Sequence, residues 1–80
     1  MEHVLKTDQQ KRIPVQKQVW CRVRMYQHMH DISNARLASV LMVGERTLHE
    51  YDKRADKITL DKIDSFLSYA GITLTELMSQ

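Results

Sequence analysis

Apolar residues in the middle of the chain recur at a spacing that predicts two short helices joined by a tight turn. Leu37 and Leu41 stand one helical turn apart. Leu48 and Tyr51 stand three residues apart, so each segment would turn a single apolar stripe inward. Residues 42–44 lie between the two stripes and would carry the chain around.

Ala38 lies where the two predicted helices would cross. A small side chain at such a contact lets the second backbone come close, whereas a bulky one would open the pair. The sequence therefore predicts a helix-turn-helix motif over residues 34–53, with its second helix running from about Glu45 to Lys53.

Hydroxyl residues that follow an isoleucine predict where three of the helices begin. Ser33, Thr59 and Thr73 carry side chains suited to N-capping. Thr73 and Glu76 have the spacing of a capping box. Gly71 fits the end of the preceding helix, because glycine adopts a left-handed conformation without a Cβ penalty.

Longer stripes predict the remaining helices. Pro14 fits an opening turn, and the first helix would end near His30 or Asp31. Its apolar stripe, with flanking core residues, is Val15, Val19, Val23 and Tyr26, with Trp20, Met25 and Met29. The stripe of the helix before Gly71 is Leu60, Ile63, Phe66, Leu67 and Ala70. Together these elements predict an all-α, compact bundle of about five short helices over residues 14–80, preceded by a basic, partly ordered arm over residues 1–13.

The order of these features resembles the lambda repressor and Cro-like helix-turn-helix family. The matching positions are Leu37-Ala38, Leu41, Val43, Thr47-Leu48 and Tyr51-Asp52, followed by ITLDKIDSFLSYAGITLTELM. The resemblance covers residues 19–78. It implies a lambda repressor-like fold that binds double-stranded DNA and lays the second helix of the motif in the major groove.

Three residues depart from the family pattern. Met42 occupies a turn position that is usually glycine, so it would have to accept a strained backbone. Gly44 stands where a Ser or Thr cap is usual, and Arg54 replaces a glycine expected after the second helix.

The resemblance implies which side chains would contact bases. Arg46 is the strongest candidate, because a guanidinium can donate two hydrogen bonds to guanine O6 and N7. Glu45 and Glu50 can accept from cytosine N4, although both repel phosphates, and Glu45 can instead complement the helix dipole. His49 lies at the edge of the same face. The alternative for each is a solvated surface residue.

A second set of side chains would position the domain on phosphates without carrying sequence information. Asn34 matches a place where the family often has glutamine, whose longer side chain braces the second helix of the motif. The full set of phosphate candidates is Asn34, Thr47, Lys53 and Arg54, with Lys11 and Arg12 from the arm.

Charge is graded along the chain although the net charge is only +2. Residues 1–24 contain six Lys or Arg against two acids, whereas residues 55–80 contain two against four. The arm and first helix are therefore the electropositive end, which suits phosphate neutralisation as well as simple solvation. The remaining third of the chain is balanced.

Composition argues against several other protein classes. Eighty residues with 42% apolar content fit one small domain. A single cysteine, Cys21, fits a reducing compartment, and the absence of a signal-peptide or membrane-length apolar run favours a cytoplasmic location. His28 and His30 lack the partners of a metal site, so neither an enzyme, a cofactor nor a small-molecule substrate is expected.

The sequence thus predicts a sequence-specific transcriptional repressor, acting as a homodimer and resembling proteins of bacterial, phage or mobile-element origin. Leu74, Leu77 and Met78 are candidates for the dimer surface, although they suit an ordinary core equally well. Two alternatives stay open. One is a protein-interaction adaptor or inhibitor that has lost base readout, and the other is an architectural or recombination accessory DNA-binding protein.

Overall fold

The computed structural model describes residues 12–79, and within them the chain forms five α-helices and one 3-10 turn, with no β-strand. The helices are α1 (Val15–Met29), α2 (Asn34–Leu41), α3 (Glu45–Lys53), α4 (Leu60–Ala70) and α5 (Leu74–Met78). The 3-10 turn, Ala55–Lys57, joins α3 to α4. The prediction of a small all-α bundle of about five short helices is confirmed for these residues.

The core lies where the inner faces of the helices meet. α1 packs against α5 and the 3-10 turn, while α2 packs against both α3 and α4. Phe66 of α4 is fully buried, and its ring meets Tyr26 of α1 edge-on with 5.5 Å between the ring centroids. The buried apolar residues are Val19, Trp20, Val23, Leu37, Ala38, Leu41, Leu48, Tyr51, Ala55, Ile58, Ile63, Phe66 and Leu77. Every apolar residue predicted for the inner stripes of the two central helices is among them.

Four residues predicted for the longer stripes or beside them lie outside the core. Met25 is half-buried and is not among the core residues, and the other three are exposed. Val15 is 57% exposed, Met29 67% and Leu60 82%. All three stand at a helix end. A helix of 15 residues such as α1 is about 22 Å long, so its terminal residues overhang the small core that its middle covers.

Two of the predicted helix starts are confirmed in full. The Ser33 hydroxyl accepts a hydrogen bond from the Arg36 backbone N–H at 3.0 Å. Thr73 and Glu76 form both bonds of the capping box, at 3.1 and 2.8 Å. Thr59 precedes α4 as predicted, but its side chain does not cap the helix, because its hydroxyl donates to the carboxylate of Asp61 instead.

The α2–α3 and α4–α5 connections have the same backbone geometry. Gly71 takes the predicted left-handed conformation, with φ 71° and ψ 31°. Met42 ends α2 in the same region, with φ 60° and ψ 44°, which confirms that it accepts a conformation unfavourable for a residue with a Cβ atom. In each connection the next residue donates its N–H to a carbonyl five residues earlier, at 2.9 Å from Val43 and 3.2 Å from Ile72.

Candidate nucleic-acid interface

Helix α3 has one face fixed in the core and one face open to solvent. Leu48 and Tyr51 are buried on the inner face, and the Tyr51 ring meets Trp20 edge-on with 5.2 Å between the centroids. Five polar side chains are exposed on the outer side of the helix: Glu45, Arg46, His49, Glu50 and Lys53. The structure thus brings all four sequence-predicted base-contact candidates together on one surface.

A single carboxylate, that of Asp52, ties α3 to α1. Asp52 Oδ1 accepts from Trp20 Nε1 at 2.7 Å and from Arg24 Nε at 3.0 Å. Asp52 Oδ2 accepts from Arg24 Nη2 at 2.9 Å, which makes the Arg24–Asp52 ion pair bidentate. The Arg24 guanidinium also lies over the Trp20 ring, 5.3 Å from its centroid. This arrangement restricts both the rotation and the tilt of α3.

The same guanidinium extends the connection to α2. Arg24 Nη1 donates to Gln27 Oε1 and to Asn34 Oδ1, each at 2.8 Å. Gln27 Nε2 donates to the same Asn34 oxygen at 2.8 Å, and Gln27 is the only buried polar residue among those that the structure describes. Asn34, a predicted phosphate contact, therefore reaches α3 indirectly, through Arg24. Asp52, Arg24, Trp20, Gln27 and Asn34 are called the Asp52 network below.

The hydrogen bonds of the network keep Asp52 ionised. Partial burial alone would raise the pKa of its carboxyl group. The hydrogen bonds from Arg24 and Trp20, with the positive charge of Arg24, outweigh burial and hold the pKa of Asp52 below its ordinary value. The ion pair is therefore present throughout the neutral range.

Sequence reasoning missed the Asp52 network, apart from Asn34. Trp20 and Arg24 lie 32 and 28 residues before Asp52, so no local spacing reveals the contact. A signal was available within α1, where Arg24 and Gln27 stand on one side of the helix next to an inward tryptophan. An arginine in that position needs an acidic partner, and Asp52 follows the buried Tyr51 directly.

Arg46 is exposed near the start of α3 and has no hydrogen bond or ion pair within residues 12–79. Its guanidinium therefore keeps all its donors available to a ligand. Glu50 stands one turn further along the same face. Glu45 lies in the first turn of α3, where a carboxylate complements the helix dipole, so it has a structural role available as well.

His49 differs from its neighbours because it already has a weak partner. Its Nδ1 lies 3.8 Å from Asp52 Oδ2, and its side chain is 63% exposed. When protonated, His49 would add a second positive charge beside Asp52. The residue therefore lies between the outer face and the Asp52 network.

The C-terminal end of α3 carries a shallow cationic hollow. Lys53 and Arg54 are exposed there, and Arg54 forms a surface ion pair of 3.4 Å with Asp56. Lys57, which sequence reasoning did not select, is brought beside them by the 3-10 turn. The hollow is lined by Thr47, Glu50, Tyr51, Lys53, Arg54 and Lys57. Thr47, a predicted phosphate contact, is half-buried at its edge.

Tyr51, which is buried, also lines this hollow. Burial raises the pKa of Tyr51, and the neighbouring carboxylates of Asp61 and Glu50 raise it further. The hydroxyl group therefore stays protonated. A neutral donor beside three cationic side chains suits a phosphate oxygen.

The predicted arm lies largely outside the described residues, and so does its phosphate candidate Lys11. Arg12 is exposed and lines a hollow with Pro14, Val15 and Gln16 at the start of α1. None of the α3 candidates lines that hollow, so the structure does not place Arg12 in the α3 surface.

The residues predicted for a dimer surface separate in the structure. Leu77 is fully buried in the core of the single chain, so it offers no surface to a partner, which corrects its assignment. Leu74 is 46% exposed, and Met78 is half-buried against the core. Leu74 and Leu77 lie on one side of α5, but Leu74 is the first residue of the helix and overhangs the edge of the core that Leu77 enters.

Within residues 12–79, no group of three or more His, Cys, Asp or Glu side chains is placed to hold a metal ion. None of the helices in that range has the length and apolar character needed to cross a membrane.

No family model matches this chain, and neither a curated protein nor a solved structure matches it.

Proposed function

We propose that this protein is a sequence-specific DNA-binding transcriptional regulator in which α2 and α3 form a helix-turn-helix unit of the lambda repressor-like type. In this proposal α3 lies in the major groove, and a homodimer represses transcription by occupying a promoter. The observation that carries the proposal is the division of α3 between its two faces. The inner face is held by Leu48, Tyr51 and Asp52, while Arg46 on the outer face is exposed and unpaired within residues 12–79.

A rigid, exposed helix is what direct base readout requires, because a side chain must approach base edges in a fixed geometry. Arg46 is the proposed donor to a guanine. Glu50, one turn along, is the proposed acceptor from a cytosine N4, with His49 at the margin. The carboxylate of Glu45 stabilises the N-terminal end of α3 through the helix dipole more than it contributes to DNA binding.

The cationic hollow at the end of α3 supports a phosphate contact adjacent to the groove. Lys53, Arg54 and Lys57 supply positive charge there, and the Tyr51 hydroxyl supplies a neutral donor. Thr47 and Asn34 flank the same helix pair, while Lys11 and Arg12 would add contacts at a separate position. Such contacts fix the register of the protein on the duplex, and each one adds to the salt dependence of binding.

One observation favours the adaptor alternative. The outer face of α3 has no net charge, because Glu45 and Glu50 balance Arg46 and Lys53. A balanced surface attracts phosphates weakly and is compatible with a protein partner. The proposal therefore depends on directed hydrogen bonds from α3 rather than on general attraction.

The test is selection from a random duplex pool, with the purified full chain, at near-physiological salt and again at higher salt. Enrichment of a two-fold symmetric motif is the expected result, and the motif would give the half-site spacing. Salt-sensitive retention without enrichment would favour an architectural role, and no retention would favour the adaptor. Either of these outcomes would overturn the proposal.

A further inference from the structure

Three exposed apolar side chains from three different helices meet at one groove. Val15 begins α1 and is 57% exposed, Leu60 begins α4 and is 82% exposed, and Leu74 begins α5 and is 46% exposed. All three line a groove of about 330 Å³. Its remaining lining is Gln16 and the buried side chains Val19, Ile58 and Ile63. The surface formed by Val15, Leu60 and Leu74 is called the apolar groove.

A single exposed leucine is ordinary on a protein surface, but a cluster is not. Seven large apolar residues are exposed within residues 12–79, and three of them converge here. Two of the others, Met29 and Met42, stand at the ends of α1 and α2 and do not line the groove. The three side chains therefore form one apolar patch rather than scattered exposure.

No charged side chain lines the groove, but exposed charged residues of opposite sign stand next to its lining residues on α1 and on α4. On the α1 side, Arg12 is exposed next to Val15. On the α4 side, Asp61 and Asp64 are exposed, the first directly after Leu60 and the second one turn further on. A two-fold axis lying along such a groove brings the basic edge of one copy opposite the acidic edge of the other, twice. The surface is therefore complementary to itself.

We propose that the apolar groove is the surface through which two copies of this chain pair about a two-fold axis. Leu60 of each copy enters the groove of the other, beside Val15 and Leu74. This inference rests on the homodimer of the proposed function but not on DNA binding, because the groove contains none of the base-contact candidates on α3.

The size of the surface sets the expected strength of the dimer. A patch of this kind covers a few hundred Å², whereas a standard interface buries about 800 Å² on each partner. The dimer is therefore weak and in rapid equilibrium with the monomer. Two adjacent half-sites on one duplex would hold two copies close together. This raises the effective concentration of each copy for the other and shifts the equilibrium to the dimer.

Sedimentation equilibrium of the full chain without DNA tests the inference, over protein concentrations from about 10 µM to 1 mM. The wild type is expected to show a reversible monomer–dimer equilibrium. Leu60→Glu is expected to weaken it at least about tenfold, since the dimer would bury the unpaired carboxylate twice. The monomer should stay folded, because Leu60 is exposed and an acid suits the first turn of α4.

Met29→Lys is the matched control. Met29 is also exposed, lies at the other end of α1, about 21 Å from Val15, and the new charge again suits the helix end that carries it. It is expected to leave the equilibrium unchanged. A wild type that is monomeric throughout the range, or a dimer that Leu60→Glu does not weaken, would overturn the inference. Because no DNA is present, this failure is separate from failure of the duplex selection.

A second measurement identifies what occupies the groove. Isotope-filtered NOE spectra of mixed ¹³C-labelled and unlabelled protein are expected to show contacts between the Leu60, Leu74 and Val15 methyl groups of different molecules. If the filtered spectra lack such contacts and the fully labelled protein shows NOEs from residues 1–11 to the groove, the chain covers its own groove. That result would overturn the inference.

Discussion

The turn between α2 and α3 and the turn between α4 and α5 have one backbone geometry but opposite residue choices. In the second turn, glycine occupies the left-handed position and threonine caps the next helix, as Gly71-Ile72-Thr73. In the first turn, Met42-Val43-Gly44, methionine occupies the left-handed position, and glycine stands at the cap without a side chain to offer. Each of these exchanges weakens the local connection.

Distant side-chain contacts hold α3, whereas local hydrogen bonds close the start of α5. A capping box closes the start of α5. The start of α3 has no side-chain cap, and the helix is instead held through the Asp52 network to α1 and α2. Because α3 is held by contacts on its inner face, its first turn and its outer face stay available for binding. A capping side chain at the start of the helix would occupy part of that space.

Breaking the Asp52 network should have the largest effect. Asp52→Ala leaves the Trp20 N–H and the Arg24 guanidinium without their acceptor. It is expected to lower the free energy of unfolding by about 1–2 kcal/mol. The loss is smaller than for a fully buried ion pair because solvent screens these charges. Urea unfolding followed by the fluorescence of the single tryptophan measures the loss. Asp56→Ala, which removes only the exposed pair with Arg54, should change stability by less than about 0.5 kcal/mol. Equal losses in the two variants would contradict the role given to the network.

The network should also impose a pH dependence. Because the folded pKa of Asp52 lies below its ordinary value of 3.8, its charge stabilises the fold above that value, and this contribution is lost as the pH falls through the folded pKa. The stability advantage of the wild type over Asp52→Asn should therefore shrink below about pH 4. Asp61, whose pKa is also lowered, is present in both proteins and cancels in the difference. An advantage that stays constant down to about pH 2 would argue against an ionised Asp52 as the source.

Making the first turn resemble the second should stabilise the protein. Met42→Gly relieves the left-handed strain and loses little packing, since Met42 is 80% exposed, so a gain of about 1 kcal/mol is expected. Met42→Ala removes the same side chain but keeps the Cβ atom, and should give no gain. Denaturant unfolding of both variants separates the two causes, and a gain in both would assign the effect to the side chain rather than to the backbone.

Restoring the missing cap should have the smallest effect. Gly44 has an extended backbone and open space where a Cβ atom would lie, so Gly44→Ser can cap α3 without a clash. The expected gain is a few tenths of a kcal/mol, because glycine is itself a tolerable cap residue. Thermal unfolding of Gly44→Ser and Gly44→Ala separates the two possible causes of a gain. Both variants reduce the chain entropy of the unfolded state, but only serine offers an acceptor to α3, so Gly44→Ala should be the less stable.

Local patterns predicted the helices because burial and capping act between near neighbours. The stripe residues Leu37, Leu41 and Leu48 are all buried, and Ser33 and Thr73 cap their helices as expected. The same reasoning failed at Val15 and Leu60, since periodicity indicates which face points inward but not how far the core extends along a helix.

The candidate site was predictable only in part. Arg46, Glu50 and Lys53 followed from their place on the second helix of the motif. The Asp52–Arg24 contact did not, because it joins residues 28 positions apart and depends on how α1 crosses α3. Lys57 was missed for a related reason, since the 3-10 turn that brings it beside Lys53 has no periodic signal.

The base preference of Arg46→Ala tests whether α3 reads the bases. It is measured by titrating the duplex enriched in the selection and single base-pair variants of it. The wild type should lose about 1–3 kcal/mol of binding free energy when one particular G·C pair is replaced, and Arg46→Ala should be indifferent to that replacement alone. Lys17→Ala, an equal change of charge on α1, should keep the full preference. An Arg46→Ala protein with the same preference at every base pair as the wild type would contradict the assignment of α3 as the reading helix.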